Sequence, residues 1–200
     1  MHTTDQDYFE FLKNRGIKRQ IRNQLFLKTI TKHLSGNVLD VGCGAGGFLQ
    51  IYSQQIQNKP NTSIRGMDIN SHAIAFCKSL GFECYLAPVN QIPFPDESFD
   101  GVLLSHVLEH LEQSAPVMDE IMRVLKPGGV FCVMVPGKAA YDMDDTGTHR
   151  IFYDKPLLEA TLIKHGFQVI KMTYFPFPFR RVGDYLYINE LRAVCVKQCN

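Results

Sequence analysis

No run of about 18 apolar residues occurs anywhere in this chain, so no transmembrane helix is expected. The opening stretch from Met1 to Gln6 is polar, which argues against a secretory signal. No C-x-x-C pair occurs among the six cysteines, Cys43, Cys77, Cys84, Cys132, Cys195 and Cys199. Four of them lie in apolar stretches, which fits a reduced, cytoplasmic protein better than a zinc or disulfide framework. Net charge is only +1, so no global field draws the chain to nucleic acid or to a membrane surface. Repeats, low-complexity tracts and long linkers are all missing. Hydrophobic residues make up 45% of the 200, enough to close one core without a disulfide or structural metal. The expectation is therefore one domain over 1–200.

Residues 1–36 read as an N-terminal helical cap. Ile17, Ile21, Leu25, Ile30 and Leu34 recur at helical spacing over 7–34, and Gly36 stops the segment. Lys13, Arg15, Lys18, Arg19 and Arg22 read as its solvated face. Beyond it strands and helices alternate. Strands are expected over 38–41, 64–69, 82–86, 99–104, 130–135, 167–174 and about 185–197, and helices over about 46–56 and 71–80. A further helix starts near Ser114, carries Pro116 in its first turn, and buries Met118, Ile121, Met122 and Leu125 before Pro127-Gly128-Gly129 breaks it. Another is capped by Asp154 and ends at Gly166. Alternation of this kind implies an α/β fold with a doubly wound, mostly parallel sheet and helices on both faces. Ligands of such sheets bind beyond the carboxyl ends of the strands.

The first strand runs into Asp40-Val41-Gly42-Cys43-Gly44-Ala45-Gly46-Gly47, with a helix after it. Glycines there permit a tight turn and a close approach to the backbone, and the helix N-terminus adds free N–H groups. No Lys-Ser/Thr pair follows, so a P-loop is not expected. Gly42, Gly44 and Gly47 spell G-x-G-x-x-G, and Asp68 lies 21 residues beyond Gly47. Both features suit NAD and S-adenosylmethionine (SAM) equally. Asp40 tips the balance. A pyrophosphate beside its carboxylate, ~5 Å away at an effective dielectric of ~20, would be repelled by ~3 kcal/mol. The ammonium and sulfonium of SAM would be attracted.

Several segments then resemble the class I SAM-dependent methyltransferases. Val38-Leu39-Asp40-Val41-Gly42-Cys43-Gly44 resembles the first family motif and Gly66-Met67-Asp68-Ile69 the second. The stretch Ile92-Pro93-Phe94-Pro95-Asp96-Glu97-Ser98-Phe99-Asp100 is similar to the family's approach to strand four. Leu108-Glu109-His110 and Leu125-Lys126-Pro127-Gly128-Gly129 follow in order. The resemblance covers about residues 37–170. It implies seven strands in the order 3-2-1-4-5-7-6, the last antiparallel, with SAM as cofactor. It further implies that Gly42 and Gly44 line the methionine moiety, that Asp68 takes both ribose hydroxyls, and that Ile69 packs on adenine. Ser105 would stand near the sulfonium. The family's adenine-binding acid after strand three is missing: this chain reads Ala87-Pro88-Val89-Asn90-Gln91 there. The backbone of Val89 and the side chain of Asn90 are the expected substitutes.

His106, Glu109 and His110 form H-x-x-E-H just past strand four, on one side if the segment is helical. Quinone-biosynthesis O-methyltransferases are similar here, with glutamate in place of His106, and there the stretch is implicated in metal binding. In this chain the Glu-His pair reads as ordering the loop, and no metal is expected. His149, in Gly147-Thr148-His149-Arg150, borders the family's acceptor pocket. His106 and His149 are the candidate bases for a hydroxyl acceptor, since imidazole titrates near ~6.5. The aromatic stretch Tyr174-Phe175-Pro176-Phe177-Pro178-Phe179 reads equally as a cover over that pocket, as core, or as a homodimer contact. The expected function is methyl transfer to a small-molecule acceptor. A nicotinamide-dependent oxidoreductase and a catalytically silent SAM-binding or partner-binding protein are the alternatives.

Overall fold

Strand β1 (Asn37–Val41) lies at the centre of the sheet because its residues from Val38 onward are all buried. It pairs in parallel with β2 (Ser63–Asp68) on one side and β4 (Phe99–Ser105) on the other. β3 (Cys84–Leu86) extends the sheet beyond β2, and β5 (Leu125–Pro136) extends it beyond β4, both parallel. β7 (Glu190–Lys197) inserts antiparallel between β5 and β6 (Phe167–Phe175). The order is β3-β2-β1-β4-β5-β7-β6, as the resemblance implied. A computed structural model supplies these coordinates, describing residues 6, 7, 10, 30, 32–57, 59–142, 147–175 and 190–198. Most of the helix read over 7–34, the strand residues 185–189 and the aromatic residues 176–179 lie outside those described.

Side chains alternate between the two sheet faces. Leu39, Val41, Val102 and Leu104 join one core with α3 (Ala115–Val124) and α5 (Lys155–Lys164), through Met118, Ile121, Leu158 and Leu162. Val38 and Leu103 join the other with Ile30, Leu34 and α1 (Gly47–Ile56), whose Phe48 and Tyr52 rings stack 5.5 Å apart. Helix α2 (Ser71–Ser79) is capped by Asn70, which accepts from the N–H groups of His72 and Ala73 at 3.0 Å. Asp154 caps α5 in the same way through Leu157 N–H. A short helix, α4 (Lys138–Asp142), follows β5.

Among the described strand starts that differ from the sequence reading, two differ by more than one residue. β3 begins at Cys84, two residues late. β5 begins at Leu125, because Leu125 already pairs with Phe99 before the register shifts and resumes at Gly101 and Val130. The helix has already ended at Val124, and Pro127-Gly128-Gly129 bulges within the strand and does not separate two elements. The conspicuous 92–100 stretch is anchored by α3. Arg123 donates to the carbonyls of Ile92 and Phe94 at 2.9 and 2.8 Å, while Glu120 accepts from Ile92 N–H at 2.7 Å. Tyr174 is buried in the core, and the Arg192 guanidinium lies 3.9 Å over the Phe175 ring.

Candidate active site

The turn after β1 is held to the end of β2 by backbone bonds. Gly42 N–H and Cys43 N–H both donate to the Met67 carbonyl, at 2.8 and 2.9 Å. Gly42, Gly44 and Gly46 have φ of 77°, 50° and 73°, in the left-handed region where only glycine is free of strain. A Cβ at Gly42 would also collide with Val107, so the turn rests directly on the loop after β4. Gly46 starts α1 without a side-chain cap.

Asp68 closes this arrangement. One carboxylate oxygen accepts from Gly44 N–H and the other from Asn70 N–H, each at 2.8 Å. Burial raises its pKa, and the backbone N–H groups that bond it oppose the shift without cancelling it. Ile69, the next residue, is 72% exposed, which is unusual for a large aliphatic side chain. Ala87 N–H donates to the Asp68 carbonyl, and Pro88 to Gln91 form a turn closed by a 3.0 Å bond. That turn presents a half-buried Val89 and an exposed Asn90 beside β2.

These residues fit SAM. A carboxylate oxygen that accepts one N–H can accept again, so Asp68 can take ribose hydroxyls. The exposed Ile69 offers an apolar face to adenine, and the glycine turn leaves its backbone open. Asp40 is another matter: it is 2% exposed. Burial, then Asp68 and Cys84, push its carboxyl well above the usual range. The fixed negative charge that favoured SAM in the sequence reading is therefore weakened by the fold.

The second half of the site lies beyond β4 and β5. Ser105, half-buried, ends β4 opposite Met134. His106 follows with φ 54°, a conformation that costs a non-glycine residue energy. It is held there by its N–H to the Met134 carbonyl and by two carboxylates. Its Nε2 lies 3.1 Å from Glu190 and its Nδ1 3.4 Å from Glu109. Burial alone would lower its pKa; the bonds to Glu109 and Glu190 prevail and raise it to about 9. Glu190 falls to about 2, because His106 and Arg192 outweigh its own burial. Arg192 Nε donates to Glu190 at 2.5 Å. At neutral pH His106 is thus an imidazolium, the wrong state for the base that the sequence suggested.

Leu108–His110 form a 3-10 turn, not an α-helix. Its main anchor is the Glu109 carbonyl, which accepts from Arg150 N–H and Ile151 N–H at 2.7 and 3.2 Å. This bond pair draws His149 to within 4.9 Å of His110, ring centre to ring centre. His149 also stacks on Tyr141 at 5.1 Å, its Nδ1 lying 3.3 Å from the Tyr141 carbonyl. The Glu109 side chain is 1% exposed, and its Oε1 faces His106 Nδ1 at 3.4 Å and His110 Nε2 at 4.0 Å. Glu109, His110 and His149 have donor atoms close enough to share a metal ion, as do Cys43, Cys77 and Cys84.

Gly42, Gly44, Asp68, Ile69, Val89 and Asn90 thus gather at the ends of β1, β2 and β3. Ser105, His106 and His149 gather at the ends of β4 and β5, with Glu109 between the two histidines. Sequence reasoning missed Val107, Glu190 and Arg192. The two charged residues carried a signal: they flank Leu191 at the start of a final strand whose centre, Ala193 to Val196, is apolar.

A glycine turn after the first strand, an acid after the second and an antiparallel seventh strand define a SAM-binding methyltransferase fold. Residues 39–133 match the family described as a methyltransferase domain. A sterol 24-C-methyltransferase of Gibberella zeae is 34% identical over 151 residues, 69% of this chain and 39% of that protein. A fatty-acid O-methyltransferase of Mycolicibacterium smegmatis is 31% identical, over 67% of this chain and 48% of that protein. The chain therefore spans less than half the length of these two relatives. A SAM-dependent methyltransferase structure from Archaeoglobus fulgidus shares the fold, with a TM-score of 0.75 at 21% identity, covering 95% of this chain and 99% of that one. The chain belongs to the class I SAM-dependent methyltransferases, and SAM is the cofactor of that class. Membership displaces the nicotinamide reading. Among the described residues, no helix is long and apolar enough to cross a membrane.

Proposed function

We propose that this chain transfers a methyl group from SAM to a small, largely apolar acceptor in a reduced, cytoplasmic setting. The observation that carries the proposal is Asp68, joined to Gly44 N–H across two strand ends with an exposed Ile69 beside it. SAM, when bound, supplies an electrophilic methyl group. The chain's part is to hold and align. Gly42 and Gly44 border the methionine moiety, Asp68 takes the ribose, Ile69 and Val89 flank adenine, and Asn90 reaches its edge. Asp40 supports the turn from beneath, and Ser105 faces the reacting end. Alignment of two reactants can supply ~7–11 kcal/mol of the barrier.

Tyr141, His149 and Phe152 offer the acceptor an aromatic wall, with ring centres 5.1 and 5.4 Å apart. An apolar body suits that wall, and the two relatives named above act on a sterol and on a fatty acid. For a hydroxyl acceptor, His149 is the base. His106, clamped as a cation, positions the end of β4.

Two measurements test this. Calorimetry should show binding of S-adenosylhomocysteine (SAH) and none of NADH; the reverse preference would overturn the cofactor assignment. With an acceptor found by a panel of sterols, fatty acids and phenols, His149→Gln should slow methylation by ~10²–10⁴-fold at unchanged SAH affinity. A fully active variant removes His149 from proton transfer.

A further inference from the structure

Three cysteines converge behind the glycine turn. Cys43 comes from the turn itself, Cys77 from α2 and Cys84 from the first residue of β3. All are buried, and their sulfurs lie within 4.8 Å of one another. Glycines make the room. A Cβ at Gly66 would stand 2.9 Å from Cys43 Sγ and 3.0 Å from Cys84 Sγ, and one at Gly46 would stand 2.9 Å from Cys77 Sγ. Leu49, Ile74, Ile64 and Phe82 pack around them. A single buried cysteine usually packs as a small apolar residue, as Cys132 does on β5. Three donor atoms from three separate elements within one ligand sphere are a different matter.

We propose that Cys43, Cys77 and Cys84 form a binding site for a soft, thiophilic metal ion of the Zn²⁺ or Cd²⁺ type, and that loading it loosens the glycine turn. Zinc–sulfur bonds are about 2.3 Å long, so three sulfurs around one ion in a plane stand ~4 Å apart. The widest separation here needs to close by less than ~1 Å. An all-sulfur donor set selects soft ions over Mg²⁺ or Ca²⁺. Three thiolates on a divalent ion leave one negative charge. Cys77 Sγ lies against Gly46, at the uncapped N-terminus of the ten-residue α1, whose positive end offsets that charge. Binding breaks three S–H bonds and forms three S–metal bonds. Three protons leave to solvent, and nothing is oxidised or reduced.

The turn feels this directly. The Cys77 thiol donates to the Gly44 carbonyl at 3.4 Å, while Gly44 N–H donates to Asp68. Metal binding removes the first bond and draws Cys43 toward α2 and β3. Since Cys43 sits between Gly42 and Gly44, SAM affinity falls. This second clause rests on reading the turn as the SAM site.

The test uses the full chain, reduced and metal-free, titrated with Cd²⁺ alone. Ultraviolet thiolate-to-cadmium absorbance should saturate at one ion per chain, with release of about three protons. Cys84→Ala should weaken binding by at least ~10–100-fold, the loss that even an outer-shell partner causes. Cys132→Ala should leave it unchanged. Absence of a saturable band in the unmodified chain overturns the site, and this holds whether or not a variant folds. Calorimetry with SAH then reads the coupling. Weaker SAH binding to the cadmium-loaded chain supports it, and equal binding overturns it. A metal-free chain that binds no SAH at all fails the SAM reading instead, while the absorbance still judges the metal site.

Discussion

Asp40 and Glu190 are both buried carboxylates at the site end of the sheet, and their protons move in opposite directions. Among the described residues the groups that act on Asp40 are Asp68 and Cys84, so burial dominates and both neighbours add to it, raising its pKa well above the usual carboxylate range. Glu190 is buried too, yet His106 and Arg192 lower its pKa to about 2. Burial therefore does not set the charge of a carboxylate here; the cations brought to it do. The contrast extends to the two halves of the site. The cofactor half is held by backbone bonds between a turn and the next strand. The acceptor half is held by ion pairs between side chains 84 residues apart.

The largest effect should come from breaking the ion pair. Removing one partner of a buried pair costs ~3–5 kcal/mol; here the Arg192 side chain stays buried at 4% exposure while His106 is 37% exposed, so the lower end of that range is expected. Glu190→Ala leaves the His106 imidazolium and the Arg192 guanidinium on either side of a vacated carboxylate. Urea unfolding should show that loss, and a change below ~1 kcal/mol would dissolve the comparison. The penalty depends on pH in a stated direction. The His106 pKa is raised from 6.5 to about 9, so its pairing contributes in full below about 6.5 and is lost as pH rises through about 9. The Glu190 pKa is depressed from 4.5, so its share is present above about 4.5 and is lost as pH falls toward 2. The destabilisation by Glu190→Ala should be greatest between those limits.

A smaller effect is expected at the cofactor half. Hydrogen bonds to a charged acceptor are worth ~1.5–3 kcal/mol each. Asp68→Ala should weaken SAH binding by at least ~10-fold in calorimetry, with circular dichroism unchanged. Unchanged affinity would mean that Asp68 merely braces Gly44.

These halves were not equally legible. The glycine turn and Asp68 lie within one strand-helix-strand unit, where spacing alone brings them together. The same locality made the cap at Asp154 readable, whereas the strand order came from the family resemblance and the cap at Asn70 was missed. His106 was visible as a residue but not as a cation, because Glu190 reaches it from the start of an antiparallel strand that inserts late in the order. No local pattern encodes that register. Asp40 failed for the complementary reason. Its place before the glycines suggested an ionised group, whereas its charge depends on how completely β2, β4 and the helices cover it. The 3-10 turn at Leu108–His110 was also beyond local pattern, since the 147–151 backbone bonds help to hold it.

The smallest effect should come from Asp40, and it is the sharpest test of the contrast. If burial keeps the Asp40 carboxyl protonated, asparagine replaces it with a neutral group of nearly the same shape. Asp40→Asn should then change stability by less than ~1 kcal/mol near pH 5, far less than Glu190→Ala. The pH dependence should differ as well. A carboxyl whose folded pKa lies above its unfolded value binds more protons in the native state, so it lowers stability as pH rises from about 3.8 toward its folded pKa. Asp40→Asn removes that slope, and the variant should lose less stability than the parent as pH rises above about 3.8. SAH binding supplies the decisive comparison. A neutral Asp40 that only supports the turn predicts similar affinity in Asp40→Asn, whereas an ionised Asp40 that attracts the cofactor's cations predicts a marked loss. A large loss of both stability and affinity near neutral pH would show that Asp40, like Glu190, works as an anion.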